Sequence, residues 1–335
     1  MKVAIIGAGS WGTALALVLH SNKHEVKCWT IEQSTLDNIR EKEENSRYLP
    51  GVKIPKDLFF TDDLYKAAHD AEIIVNSVPS QVTRSVLPQV CEVLDCKDQI
   101  WVTVSKGIEN NTYLRISEVI QQTLNLSPDK IVALSGPSHA EEVARNIPTA
   151  VVASSVNLES AKIVQDLFMT PNFRVYASPD IIGVELGGAL KNIVALAAGI
   201  CDGAGFGDNT KAALMTRGLV EINRLGTELG ANGDTFAGLS GMGDLIVTCM
   251  SKHSRNRFVG EQIGKGRKLD DILSEMVQVA EGVKTTLSAY EISKKRNVEM
   301  PITEQIYLTL FENKAPMEAM YDLMTRASKI EDWGS

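Results

Sequence analysis

The stretch Ile6–Leu19, IGAGSWGTALALVL, decides the fold. It lies in an uncharged run from Val3 to Asn22, between Lys2 and Lys23. A basic start before an apolar centre raises a secretion signal or a membrane anchor. Gly7, Gly9, Ser10 and Gly12 argue against both, because glycines weaken a short apolar helix. Their spacing is G-x-G-x-x-G. KVAII before it reads as a buried strand, and GTALALVLHSN after it reads as a helix. Strand, glycines, helix is the context in which this fingerprint binds a dinucleotide. Gly7 makes the turn, Gly9 lets a pyrophosphate approach the backbone, and Gly12 lets helix and strand pack closely. Unpaired N–H groups at the helix start face the anion.

Outward from that stretch, EVKCWT reads as a second strand. AEIIVNSVPS (71–80), QIWVTVSKG (99–107) and KIVALSGPS (130–138) follow, and TAVVASS and FRVYAS look like added strands. Apolar strands alternating with helices predict a parallel sheet covered on both faces. After Pro179 the texture turns helical, through DIIGVELGGALKNIVALAAGICDGAG and NTKAALMTRGLVEINRLGTELG. The reading is α/β: a Rossmann-type doubly wound domain over 1–180, then an all-helical substrate domain over 181–335. The length of 335 residues suits two domains. A net charge of −8 excludes nonspecific nucleic-acid binding, which needs a basic surface. No segment beyond the N-terminal run reads as apolar enough to span a bilayer. The five cysteines, Cys28, Cys91, Cys96, Cys201 and Cys249, show no paired metal-ligand spacing, which fits a reducing cytoplasm and no metal.

Ligands of doubly wound sheets bind outside the carboxyl ends of the strands. Lys106 follows VTVS and is expected there. Lys191 shares a helical face with Val184, Gly187, Gly188, Val194, Ala195 and Ala198. A lysine desolvated among small apolar groups becomes a proton donor and acceptor near neutral pH. Its two glycines imply close approach of a backbone or ligand. Asp244 lies in a glycine-flanked turn, and Lys252, His253, Arg255 and Arg257 then concentrate positive charge. Such a run is either a solvated face or an anion site, since arginine takes phosphate oxygens in a bidentate way. Ser138 and Glu141 stand at capping-box spacing. His139 and His253 are alternative proton carriers. These features describe a nicotinamide enzyme with a lysine acid/base and a small anionic substrate.

Over nearly its whole length the chain resembles the bacterial NAD(P)-dependent glycerol-3-phosphate dehydrogenases. The resemblance runs through GAGSWGTALA, NSRYLPGV, VSKGIE, LSGPSHAEEVA, GMGDLIVTCMSKHSRNR, VAEGVKTT and MPITE. It implies a Rossmann domain with a helical domain of the 6-phosphogluconate dehydrogenase-like kind. It implies reversible reduction of dihydroxyacetone phosphate to sn-glycerol 3-phosphate with NADH or NADPH, feeding phospholipid synthesis. By the same resemblance Lys191 is the general acid/base, and Lys106 and Asp244 complete its polar network. Gly136, Ser138, Ser254, Arg255 and Asn256 hold the substrate together with these three, Arg255 and Asn256 nearest its phosphate. Ser10, Trp11, Tyr48, Lys106, Ala140, Arg255, Val279 and Glu281 match cofactor positions. A homodimer is common in such enzymes.

One departure bears on the cofactor. Glu32 stands where many relatives carry a basic residue for the NADP 2′-phosphate. It follows Gly12 at the spacing where a carboxylate bonds the ribose 2′-hydroxyl of NAD. The expected preference is NAD(H), by ~1–3 kcal/mol, the scale of single charged contacts. Among rivals, a hydroxy-acid dehydrogenase has no particular need of the lysine–aspartate–arginine set, and a nonenzymatic sensor has no need of two lysines.

Overall fold

The computed structural model describes residues 1–331; residues 332–335, the end of the expected second domain, lie outside the described residues. The chain divides into two compact units: Met1–Lys106 with Ile116–Ile181, and Gly107–Arg115 with Ile182–Ser335.

The first unit opens with β1 (Lys2–Ile6), α1 (Ser10–Ser21), β2 (Glu25–Trp29), α2 (Gln33–Lys42) and β3 (Phe59–Thr61). It continues through α3 (Leu64–Ala68), β4 (Ile73–Asn76), α4 (Thr83–Cys91), β5 (Ile100–Thr103) and α5 (Ile116–Leu124). It closes with β6 (Ile131–Ser135), α6 (Ala140–Val143), β7 (Thr149–Ser154), α7 (Leu158–Phe168) and β8 (Phe173–Ser178). The eight strands run in the order β3-β2-β1-β4-β5-β6-β7-β8. The crossover from β1 back to β2 and out to β4 makes the switch point at which doubly wound sheets bind ligands. β4 and β6 are buried along their whole length, as expected for strands covered on both faces. The sheet is not wholly parallel: β7 runs antiparallel to β6, while β8 returns parallel to β7. Only the four-residue α6 lies between β6 and β7.

The second unit contains α8 (Ile181–Ala204), α9 (Asp208–Glu228), α10 (Asp244–Met250), α11 (Arg255–Gly264) and α12 (Leu269–Glu275). It ends with α13 (Glu281–Arg296), α14 (Pro301–Phe311) and α15 (Pro316–Met324). By length and composition α8 is apolar enough to cross a membrane, contrary to the sequence expectation, but 94% of the qualifying window is buried inside the protein. Its glycines let α11 approach closely. A Cβ on Gly199 would lie 2.0 Å from the Arg257 carbonyl oxygen, and one on Gly260 would lie 2.1 Å from that of Leu196. The contact is reciprocal, backbone against backbone.

A continuous first domain over 1–180 is corrected at one place. Gly107–Arg115 belongs to the helical unit. Ile108 enters its core, and Asn110 donates to the Lys284 carbonyl at 3.0 Å and the Ser288 hydroxyl at 2.6 Å. The Arg115 guanidinium pairs with the buried Glu185 at 2.6 Å. Nothing in the local pattern of GIENNTYLR signals these partners, which are far away in sequence.

The cysteines also differ from expectation. Cys91 and Cys96 form a disulfide at the end of α4, at odds with the reduced state that a reducing compartment implies. Cys28, Cys201 and Cys249 are free and buried. Among the described residues no cluster of His, Cys, Asp or Glu is placed to hold a metal ion.

Glu221 of α9 caps the start of α14. Its carboxylate accepts from Ile302 N at 2.6 Å, Thr303 N at 3.1 Å and the Thr303 hydroxyl at 3.0 Å. Burial nevertheless pushes this carboxyl up to about 7. A folded-state value above the unfolded one means the folded protein binds the proton more tightly, so stability falls as pH rises. The window runs from the ordinary glutamate value, 4.5, to about 7. Across it the wild type is expected to lose about 3 kcal/mol relative to Glu221→Gln. Denaturant melts of both proteins at intervals from pH 5 to 8 check this. Parallel curves would contradict it.

Candidate active site

In the first unit, Gly7 has φ +109°, and a Cβ there would lie 2.9 Å from the Ser77 carbonyl oxygen. A Cβ on Gly12 would meet the Gly7 carbonyl oxygen at 2.0 Å. Gly9 faces open space, and its side of the α1 start has no side-chain cap. The three glycines therefore divide the work as their spacing implies: turn, open approach, close packing. Trp11 Nε1 is buried without a hydrogen-bond partner. An uncapped helix start and an orphaned indole N–H beside it fit a dinucleotide.

Glu32 occupies the N-cap position of α2 beyond the end of β2, and its carboxylate is engaged by neighbouring side chains rather than by that helix's backbone. It accepts from the Tyr48 hydroxyl and from Thr35 Oγ1 at 3.0 Å. Burial, with the bond to Glu32, pushes the Tyr48 hydroxyl up to about 12, so it remains a donor. Beyond β5, Lys106 Nζ donates to the Gly136 carbonyl at 2.9 Å, and Ser138 Oγ donates to the same oxygen at 2.9 Å. These three residues are brought together. The expected capping box is corrected: His139, not Ser138, is the N-cap of α6, because the Ser138 hydroxyl is turned back to Gly136. Ala140 is buried as the first residue of α6.

In the second unit, Lys191 is 6% exposed on α8. Its Nζ donates to Asp244 Oδ1 and to Thr248 Oγ1, both at 2.5 Å. Thr248 in turn donates to the Asp244 carbonyl at 2.6 Å. Beside the small apolar residues of its own helical face, the buried charge of Lys191 has Asp244, which the resemblance implied, and Thr248, which it did not, to compensate it. Asp244 is not in a turn. A π-helical segment, Leu239–Gly243, runs into α10, and Asp244 is the first residue of that helix. Such bulges recur at functional sites because they re-aim the following residues. The close approach foreseen at the glycines is a backbone: a Cβ on Gly187 would lie 2.5 Å from the Ser240 carbonyl oxygen.

The crossing of α8 and α11 brings Asn256 to Lys191's neighbour. Asn256 Nδ2 donates to Asn192 Oδ1 at 2.9 Å, and Asn256 Oδ1 accepts from Gly282 N at 2.9 Å. Ser254 caps α11 by accepting from Arg257 N. Arg255 is exposed, donates to the Val279 carbonyl at 2.8 Å, and so draws the loop before Glu281 to the start of α11. The basic run is not one anion site. Arg257 pairs with Asp202 at 2.6 Å and with Glu261 at 3.6 Å, and Asp202 also pairs with Lys211. Thr248 and Asn192 were not singled out from sequence. The helical offset from Asp244 to Thr248, and the adjacency of Asn192 to Lys191, are the signals that point to them.

A family model for the NAD-dependent glycerol-3-phosphate dehydrogenase N-terminus matches residues 2–161, and one for its C-terminus matches 180–321. The chain belongs to the NAD-dependent glycerol-3-phosphate dehydrogenase family. Glycerol-3-phosphate dehydrogenase of Bacillus pumilus, named for NAD(P)+, is 54% identical over 334 residues, covering 98% of this chain and 96% of that one. Its Bacillus subtilis counterpart is 54% identical over 331 residues, covering 98% and 96%. The crystal structure of the Coxiella burnetii glycerol-3-phosphate dehydrogenase superposes with a TM-score of 0.91 at 37% identity, over 97% of this chain and 98% of that chain. A ketopantoate reductase from Ralstonia eutropha, 14% identical with a TM-score of 0.61 over 96% of this chain and 100% of that one, shares the fold alone. The protein is an oxidoreductase of the glycerol-3-phosphate dehydrogenase type that uses NAD or NADP.

Proposed function

We propose that the enzyme reduces dihydroxyacetone phosphate to sn-glycerol 3-phosphate, reversibly, with Lys191 as the proton donor. The observation that carries this is the buried ammonium of Lys191, gripped by Asp244 and Thr248 on the helical unit of this family. A reduced dinucleotide held through its pyrophosphate by Gly7, Gly9 and Gly12 would supply hydride for the substrate's carbonyl carbon. Lys191 Nζ gives a proton to the oxygen of the substrate carbonyl as charge develops there, and in the oxidative direction it takes the proton back. Asp244 and Thr248 hold that nitrogen in one place, so little reorganisation is needed at the moment of transfer. Lys106, set by the Gly136 carbonyl, stabilises the same negative charge. Arg255 and Asn256, at the start of α11, take the phosphate, whose binding orients the reacting carbon. Gly136, Ser138 and Ser254 complete the substrate contacts. Ser10, Trp11, Tyr48, Ala140, Val279 and Glu281 serve the cofactor. The proposed product is a precursor for glycerophospholipid synthesis, a cytoplasmic role, and the proposed assembly is the homodimer that is common in such enzymes.

Glu32 favours NADH over NADPH, because a fixed carboxylate repels a 2′-phosphate and accepts a bond from a 2′-hydroxyl. The test is oxidation of each reduced cofactor in the presence of dihydroxyacetone phosphate. Turnover with a higher kcat/KM for NADH is expected. No turnover with either would end the substrate assignment, and a clear NADPH preference would end the role of Glu32.

A further inference from the structure

The carboxylate beyond β2 is part of a built cluster. Besides Tyr48 and Thr35, Glu32 faces Arg47, whose Nη1 lies 3.8 Å from Oε2. The Arg47 guanidinium also lies over the Tyr48 ring, 5.4 Å from its centre. The loop that carries Arg47 and Tyr48 is tied to the glycine fingerprint. Asn45, buried, donates from Nδ2 to the Ala8 carbonyl and to the Thr13 hydroxyl, both at 2.9 Å. Tyr48 N and Leu49 N turn back onto the Asn45 carbonyl, and Leu49 is fully buried. Arg47 therefore stands on a fixed turn, beside the strand end where a Rossmann sheet places the adenosine ribose. Ile31, 77% exposed next to Glu32, offers that edge an apolar face.

A carboxylate has about four lone-pair positions. Tyr48 and Thr35 take two of them by hydrogen bonds, and Arg47 at 3.8 Å is an ion pair rather than a third bond, so room is left for a ribose hydroxyl. A guanidinium, however, is the group best shaped to take a phosphate in a bidentate way. Arg47 is 43% exposed and held by one long ion pair, so it can exchange partners.

We propose that Arg47 is the specificity-determining partner of Glu32: a masked anchor for the cofactor 2′-phosphate, which the carboxylate neutralises so that the enzyme reads a 2′-hydroxyl. The pair, rather than Glu32 alone, then sets the ratio of NADH to NADPH affinity. This rests on Glu32 facing the adenosine ribose. It does not depend on which substrate is reduced.

The test is a titration of the full-length enzyme with NADH and NADPH, without substrate, read by the fluorescence of the bound reduced nicotinamide. Wild type, Glu32→Gln, Arg47→Ala and the double variant are compared. Arg47→Ala should weaken NADPH roughly tenfold, the scale of one hydrogen bond to a charged group, and leave NADH nearly unchanged. Glu32→Gln should tighten NADPH by a similar factor, and the double variant should lose that gain. If Glu32→Gln shifts the ratio while removal of Arg47 leaves it unmoved in both backgrounds, the Arg47 proposal falls and the reading of Glu32 stands. If no substitution moves the ratio, both fall. Should Glu32→Gln fail to fold, Arg47→Ala alone decides: an equal effect on the two cofactors overturns the proposal. A protein that binds the cofactors as described but does not reduce dihydroxyacetone phosphate would refute the proposed reaction and leave this inference intact.

Discussion

Lys191→Met is expected to lose a hundredfold or more in kcat while binding NADH with nearly unchanged affinity. The rate loss follows from removal of the general acid, a contribution of about 10²–10⁴ in comparable chemistry. Cofactor affinity should survive because the glycine loop, Glu32 and Tyr48 all belong to the first unit. Stability should suffer as well. The variant leaves Asp244, 1% exposed, without its counter-charge, and breaking a buried pair from one side costs roughly 3–5 kcal/mol. The two effects separate in Lys191→Met/Asp244→Asn, where the unpaired charge is gone. That double variant should recover most of the lost melting temperature and none of the turnover. Full activity in Lys191→Met would overturn the proton route, and recovered turnover in the double variant would show that only folding had been damaged.

Gly260→Ala is expected to lower the melting temperature by several degrees and to raise the KM for dihydroxyacetone phosphate. The added methyl would stand 2.1 Å from the Leu196 carbonyl oxygen and 2.9 Å from Ile200 N. These are backbone atoms, so α8 and α11 must part. Overpacking of this kind costs typically ~1–3 kcal/mol, and for a protein of this size each kcal/mol moves the midpoint by roughly 1–2 °C. Separation of the helices would also stretch the Asn256–Asn192 bond and carry Ser254 and Arg255 away from Lys191's helix. Thermal melts and steady-state kinetics on one preparation check both effects. An unchanged midpoint would contradict the close crossing.

Much of the fold was legible because its signals are local. KVAII, the glycines and GTALALVL each carry their own reason to be strand, turn and helix, and the helical period after Pro179 does the same for α8. What escaped depends on residues distant in sequence. The reversal of β7 is set by its register with β6, which the local pattern of TAVVASS does not fix. The Gly107–Arg115 excursion depends on Glu185, Lys284 and Ser288. The site shows the same division. Lys191 stood out because a charge on a small-residue face is costly, whereas Thr248 has an ordinary place on α10 until Asp244 and Lys191 are seen around it. Arg257 looked like part of a phosphate site only while Asp202 was out of view. Glu32 was legible by spacing, but its neighbours Tyr48 and Arg47 gave no hint that they close around it.

The excursion has a consequence for how the polypeptide is assembled during synthesis. Arg115 leaves the ribosome well before Glu185, at a separation of 70 positions, and Asn110 precedes Ser288 by 178. An early-made arm must wait, unsatisfied, for almost the entire remainder of the protein. A proteolytic or recombinant piece beginning at residue 182 would take Arg115 from Glu185 and leave a gap where Ile108 belongs. The helical half is thus a spatial body without being a contiguous stretch of gene, and its maturation is coupled to completion of the chain.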